Sequence, residues 1–314
     1  MLKGVFVNQQ RANCSIYEAG VMIKDALMGG EPNYSLEYKE VDRLGNILIS
    51  QAKYDFYVFN WHPFTLPITQ KNINRLKGTK IIVVLEVTPT VYLPYTPPVV
   101  DAYMIIDPTK ERTKNYYPFP RPLEVVSDLK PLLSTDKTVI GGFGLVCPTG
   151  AALSYKRFYE VVENANKIGN CIVRFNFPEG QFTGIPLSML KQYGDTLKRL
   201  ANPDVEVIVT HDYMSKPELI RWCSEHTINS FPYYRDLSGL SAVTDQAISA
   251  GRPIAITDCN TFRHLHKYIS YYPKQSYEEL IVSTQSGVKQ MQEDWHPNKF
   301  REKFKELLHE KGLI

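Results

Sequence analysis

The sequence predicts an α/β protein made of two successive parallel-sheet domains followed by a helical tail. Three observations carry that prediction. Short apolar runs alternate with amphipathic segments for most of the chain, the pattern of repeated strand–helix–strand units. The pattern lapses once, over the proline-punctuated stretch from Tyr116 to Leu133, and then restarts at Thr138. The length of 314 residues exceeds a typical single core and fits two domains of about 150 residues each.

In the first half the expected strands are Gly4–Asn8, Leu36–Val41, Tyr54–Asn60, Lys80–Val87 and Ala102–Asp107. Runs such as YDFYVFN and KIIVVLEV are apolar without alternation, as strands covered on both faces are. Helices are expected over Ile16–Met28 and Thr69–Leu76. Ser15-x-x-Glu18 reads as a capping box at the start of the first of these. Between Tyr116 and Leu133 no period holds, and the segment reads as a linker.

The second half repeats the arrangement. Strands are expected at Val139–Phe143, Cys171–Phe175, Val205–Thr210, Ser230–Tyr233 and Pro253–Thr257. Helices fall between them at Tyr155–Ile168, Leu187–Leu200, Lys216–Glu225 and Ala242–Ala250. From Ser276 the chain is charged and helical: SYEELIVSTQSGVKQMQEDW reads as one segment and HPNKFREKFKELLHEKG as a second. The domains are therefore 1–125 and 126–275, with 276–314 as helices packing back across both.

Composition removes several function classes. Hydrophobic residues make up 43% and charged residues 22%, an ordinary globular balance. A net charge of +3 from 36 basic and 33 acidic residues is no polyanion-binding signature, so nucleic acid is not an expected partner. Five scattered cysteines without C-x-x-C spacing point to reduced thiols in a cytoplasmic protein rather than a disulfide frame or a zinc site. MLKGVFVN lacks the layout of a signal peptide, and no apolar run approaches the ~20 residues of a spanning helix. The amphipathic tail HPNKFREKFKELLHEK has the form of a membrane-surface helix. Its acidic Glu302, Glu306 and Glu310 favour packing on protein instead.

Candidate chemistry sits where strands end, because ligands of parallel sheets bind at the carboxyl ends. His62 follows the third strand and Glu86 ends the fourth, giving an imidazole and a carboxylate suited to acid–base work or sugar hydroxyls. The loop Asn8–Ser15 follows the first strand, with Arg11 and Ser15 as lesser candidates. For each of these a structural role, such as a helix cap or a strand-end partner, competes with the functional one. No D-x-D is tied to a strand end and no metal constellation is visible.

The most informative stretch is YYRDLSGLSAVTDQAISAGRPIAITDCNTFRHL, from Tyr233 to Leu265. A Gly-containing loop at Ser238–Gly239 opens a helix that Gly251 closes, and the strand from Pro253 follows. S-G-L-S-A-V-T-D-Q-A-I-S-A-G-R-P-I resembles the donor segment E-G-F-G-x-x-x-x-E-A-M-A-x-G-x-P-V of the retaining group 1 (family 4-like) glycosyltransferases of GT-B fold. Upstream, VIGGFGLVCPTGAALSYKRF resembles their strand–G-x-F-G–loop–K-G-F segment, and Phe231-Pro-Tyr233 their short segment before the donor motif. The likeness is specific in the second half of the chain alone.

That resemblance implies two Rossmann-like βαβ domains facing across a cleft, the GT-B architecture, and a metal-independent sugar transfer with retention. It implies a nucleotide-diphosphate sugar as co-substrate, no resident cofactor, and a carbohydrate, lipid-linked or other acceptor. Lys156 matches the lysine that grips the pyrophosphate, with Arg157 beside it in the usual glycine position. The backbone amides of Gly239, Leu240 and Ser241 would cradle phosphate. His211, Asp212 and Tyr233 lie where relatives border the base and sugar. The first glutamate of the motif falls on Ser238 and the second, the ribose ligand, on Gln246. Loss of both leaves two further readings open: a nucleotide-sugar epimerase of the same fold, and a non-catalytic module that binds a glycan or a protein.

Overall fold

The computed structural model describes residues 1–10, 15–30, 33–42, 54–62, 65–66, 68, 70–85, 99–146, 156–180, 184–234 and 239–314. Glu86, Ser238, Arg11, Cys14 and Cys147 lie outside the described residues. The chain divides into two compact units, Met1–Pro122 with Trp295–Ile314, and Leu123–Asp294.

The first unit carries a six-stranded parallel sheet. Its strands are β1 (Leu2–Gln9), β2 (Tyr34–Val41), β3 (Phe56–Trp61), β4 (Thr79–Val84), β5 (Ala102–Ile105) and β6 (Tyr116–Pro118), in the order β2-β1-β3-β4-β5-β6. Helices α1 (Ser15–Met28) and α2 (Gln70–Ile73) lie between strands. β3 is buried at every position, and its side chains alternate between two cores: Phe56 and Val58 in one, Tyr57 and Phe59 in the other. An unbroken apolar run is what such a strand requires.

The sixth strand corrects the expected linker. Tyr116–Pro118 pairs in parallel with β5, Tyr103 opposite Tyr116 and Ile105 opposite Pro118. Proline is tolerated here because β6 is the sheet's edge and needs no ladder donor on its open side. The proline punctuation concealed the strand.

The second unit carries a five-stranded parallel sheet. Its strands are β7 (Thr138–Phe143), β8 (Cys171–Asn176), β9 (Val205–Thr210), β10 (Ile228–Phe231) and β11 (Ile254–Ile256), ordered β11-β10-β7-β8-β9. The helices are α3 (Tyr159–Ile168), α4 (Leu187–Arg199), α5 (Lys216–Ser224), α6 (Val243–Ser249), α7 (Tyr277–Ser283) and α8 (Gln285–Asp294). Ser215 and Glu218 form a capping box on α5, and Ser276 and Glu279 do the same on α7.

The tail is helical but differs in detail from the expectation. The segment from Ser276 is two helices, broken at Thr284. That buried hydroxyl donates to Leu280 O at 2.7 Å and accepts from Ile254 N at 3.2 Å, which ties the break to β11. The last helix, α9 (Pro297–Glu310), belongs to the first unit. His296 caps it and Pro297 opens it. Phe300, Phe304, Leu307 and Leu308 recur at helical spacing and enter the core with Phe6, Tyr34 and Phe56. Arg301 anchors the same face by donating to Ala26 O at 2.7 Å.

Cys171, Cys223 and Cys259 are buried free thiols. Burial pushes Cys171 up to about 11 and Cys223 well above its usual range. No helix among the described residues is long and apolar enough to cross a membrane.

A buried imidazole makes the second unit sensitive to pH. His226 is fully buried; its Nδ1–H donates to Asn229 Oδ1 at 2.9 Å, and Arg174 Nη1 lies 3.4 Å from Nε2. Burial lowers its pKa from 6.5 to about 4, against the opposing hydrogen bond to Asn229. The unfolded chain therefore binds the proton first as pH falls. The neutral ring's contribution is complete above pH ~6.5 and is lost toward pH ~4, by about 3 kcal/mol in all. Urea unfolding at pH 7, 5.5 and 4.5 is expected to show that slope, and His226→Ala to flatten it.

Candidate functional site

The order β11-β10-β7-β8-β9 means that the chain winds outward from β7 through β8 to β9, then crosses back to β10 and β11. The connections leave β7 and β10 in opposite directions, so the second unit's switch point lies at the carboxyl ends of those two strands. There β7 runs into Gly144 and β10 into Pro232 and Tyr233.

Gly144 has φ +132°, a conformation that favours glycine, and its N–H donates to Asn176 O at 3.2 Å. A Cβ on Gly144 would stand 3.0 Å from Tyr233 Oη and 3.4 Å from Val243 Cγ1. The end of β7, the Tyr233 side chain and the first residue of α6 thus converge. Tyr233 is 3% exposed and packs on Phe262, Phe158 and Phe231, while its carbonyl accepts from the Thr257 hydroxyl. It is a buried platform whose ring supports its neighbours.

Lys156 lies on that platform. It forms an antiparallel bridge with Tyr233, its Nζ stands 4.8 Å from the Tyr233 ring centre, and it donates to Leu145 O. The expected helix Tyr155–Ile168 starts at Tyr159 instead, so Lys156 and Arg157 precede it. The bridge to β10's continuation holds these residues outside the helix, and Arg157 N donates to Pro232 O at 3.0 Å.

Arg157 has different surroundings. Its guanidinium lies 4.2 Å from the Tyr234 ring centre, and Nη1 is 3.3 Å from Glu160 Oε1. Tyr234 Oη donates to Glu160 Oε2 at 2.7 Å. Burial and that hydrogen bond raise the Tyr234 phenol well above its usual pKa.

In the donor segment, Gly239, Leu240 and Ser241 are half-buried before α6. Ser241 N donates to Thr261 O at 3.2 Å, so this amide of the expected cradle is committed to the protein. Gln246 is half-buried in α6, next to the buried Asp245. His211 and Asp212 follow β9, two strands from β7 and so roughly 10 Å across the sheet. His211 Nδ1 pairs with Phe177 O at 3.0 Å, which makes Nδ1 the protonated nitrogen, and Asp212 presents an exposed side chain. The structure brings Lys156, Tyr233 and Gly144 together and leaves His211 and Asp212 farther along the same edge.

In the first unit the order β2-β1-β3 places a switch point between β1 and β3. His62 directly follows β3 and its carbonyl accepts from Leu66 N at 3.0 Å. Sequence reasoning missed the pair behind it. Asn60 Nδ2 donates to Asn8 Oδ1 and to Ile16 O, both at 2.8 Å, and Asn8 Nδ2 reaches Tyr17 O and Tyr38 Oη at 3.1 Å. These amides fasten the start of α1 to both strand ends. The available signal was that VFVN and YVFN are apolar runs that each end in asparagine.

No protein-family model matches the sequence, and no curated protein matches it. Solved structures do match over almost the whole length. Anabaena HepE, in complex with UDP and glucose, is similar with a TM-score of 0.65 at 9% identity, covering 98% of this chain and all of that one. Sucrose-phosphate synthase from Thermosynechococcus elongatus gives 0.64 at 8%, covering 99% of each chain. An α,α-trehalose-phosphate synthase (UDP-forming) from Burkholderia xenovorans, in complex with glucose-6-phosphate, gives 0.58 at 10%, covering 98% of this chain and 100% of that one. The chain has the GT-B fold, with its helical tail.

Proposed function

From that GT-B fold we propose a glycosyltransferase that moves a sugar from a nucleotide-diphosphate donor to an acceptor hydroxyl, with retention of configuration and without a metal ion. The observation that carries the reading is Lys156, an ammonium held over the Tyr233 ring at the switch point of the second unit. In this reading the bond from the sugar's anomeric carbon to the diphosphate oxygen breaks, one to the acceptor oxygen forms, and the acceptor's hydroxyl proton passes to the departing diphosphate. Lys156 meets the charge that develops on the departing diphosphate. Gly144, lacking a Cβ, lets the Tyr233 hydroxyl and Val243 close on the end of β7, next to the Lys156 ammonium.

Gln246 is assigned to the ribose, as donor and acceptor in place of a glutamate. His211 and Asp212 are assigned to the base, farther along the strand ends. His62 and Glu86 are assigned to the acceptor, as acid–base groups or hydroxyl ligands. The loss of both motif glutamates, at Ser238 and Gln246, predicts a sugar preference unlike that of enzymes that keep them. The UDP, glucose and glucose-6-phosphate of the similar structures make UDP-glucose and sugar phosphates the first donor and acceptors to try.

The test is a product assay with donor alone and with donor plus acceptor. Nucleoside diphosphate released in step with a new glycoside, and only with acceptor present, is the expected result. A new sugar isomer from donor alone would replace the reading with an epimerase, and glycan binding without any nucleotide binding with a non-catalytic module.

A further inference from the structure

Lys156 and Arg157 are adjacent cations, and the donor reading would let either grip a diphosphate. Their surroundings separate them. Glu160 is 9% exposed and both its carboxylate oxygens are engaged, Oε1 by Arg157 and Oε2 by the Tyr234 hydroxyl. The guanidinium is stacked on the same tyrosine, and Glu160 N donates back to Arg157 O at 2.9 Å. The three side chains therefore close a ring. A guanidinium suits this place because its planar fork can lie over the ring while its N–H groups donate to the carboxylate.

We propose that Arg157 is a positioning residue rather than a diphosphate ligand. With Glu160 it clamps Tyr234, and so fixes the backbone at Pro232–Tyr233 on which Lys156 is registered. The inference rests on the donor reading of the site. Its physical basis is twofold. Drawing Arg157 toward a diphosphate would strip a mostly buried carboxylate of its cation, which is costly. The clamp also acts on the residue next to Tyr233, whose backbone pairs with Lys156 and whose ring lies under the Lys156 ammonium. A small shift there displaces that ammonium, and reacting groups tolerate little displacement.

The two roles predict opposite effects of Glu160→Gln. If Arg157 were a phosphate ligand, removing the competing carboxylate would release it and tighten nucleotide binding. If it is a clamp, the change loosens Tyr234 and weakens binding by about fivefold or more. The experiment is calorimetric titration of wild type, E160Q and Tyr234→Phe with UDP, GDP and ADP. Amide exchange at residues 233–234 and 156–157 is followed in the same proteins without nucleotide. The clamp predicts weaker binding and faster exchange in E160Q, with a smaller effect of the same sign in Y234F, which keeps the stack and loses the hydrogen bond. Equal or tighter binding by both variants overturns the proposal. Failure of wild type to bind any nucleotide sinks the donor reading instead. The exchange data then decide the clamp alone, and exchange unchanged from wild type overturns it.

Discussion

Lys156→Ala is expected to lower sugar transfer by about 100-fold or more while leaving the protein folded. The structural role of Lys156 lies mainly in its backbone, which bridges Tyr233 and which alanine retains. Its side chain donates to the Leu145 carbonyl and lies over the face of the Tyr233 ring. An exposed cation–π contact is worth about 0.5–1 kcal/mol, so the melting temperature should fall by only a few degrees. In the proposed reading the chemical role is much larger, because the contact is made against charge that appears as the diphosphate leaves. Steady-state transfer rates and a thermal melt of the same preparation check both halves. Wild-type turnover by the variant would remove Lys156 from the mechanism.

Gly141→Ala is expected to destabilise the second unit by about 3 kcal/mol or more, which for a domain of its size is roughly 10 °C. A Cβ at 141 would lie 1.9 Å from His226 Nδ1 and 2.4 Å from Cε1. The imidazole has little freedom to retreat. Asn229 holds one nitrogen, Arg174 lies by the other, and Trp222 packs edge-on with ring centres 4.2 Å apart. The surrounding charges are linked as well, since Glu225 pairs with both Arg174 and Lys130. Either β7 separates from β10 or the ring leaves its partners, and both are costly in a fully buried site. Equilibrium unfolding in urea measures the loss. Adding His226→Ala should restore part of it, because residues in contact do not act additively.

Much of the fold was legible because parallel strands buried on both faces must be apolar throughout. Residues 56–59 and 81–84 therefore stand out in the sequence. What stayed hidden depended on partners distant along the chain. β6 is a strand because β5 lies beside it, and its proline reads as a break until the edge position is known. Lys156 and Arg157 read as the opening of a helix because nothing local announces that they pair with Pro232 and Tyr233. The apolar periodicity from Ser276 runs across Thr284, whose break is set by a hydrogen bond to β11.

The candidate site was legible as a set of residue types and much less as a geometry. The resemblance that singled out Lys156 rests on spacing, and the structure places that residue at a switch point. It could not say that Ser241's amide is engaged by Thr261, nor that Glu160 and Tyr234 surround Arg157. The Asn8–Asn60 pair shows the same limit. Each asparagine is visible at the end of its run, but their contact joins residues 52 positions apart.

In the proposed reading the second unit binds a nucleoside diphosphate through Lys156. Thermal shift of wild type and K156A with UDP, GDP, ADP, TDP and CMP at millimolar concentration tests it most directly. A ligand at a hundred times its Kd stabilises by about 2.7 kcal/mol, enough to move the melting temperature by several degrees. Such a rise is expected for one diphosphate in wild type, with little for CMP and loss of most of the rise in K156A. A rise of equal size in both proteins, or none with any nucleotide, would contradict it.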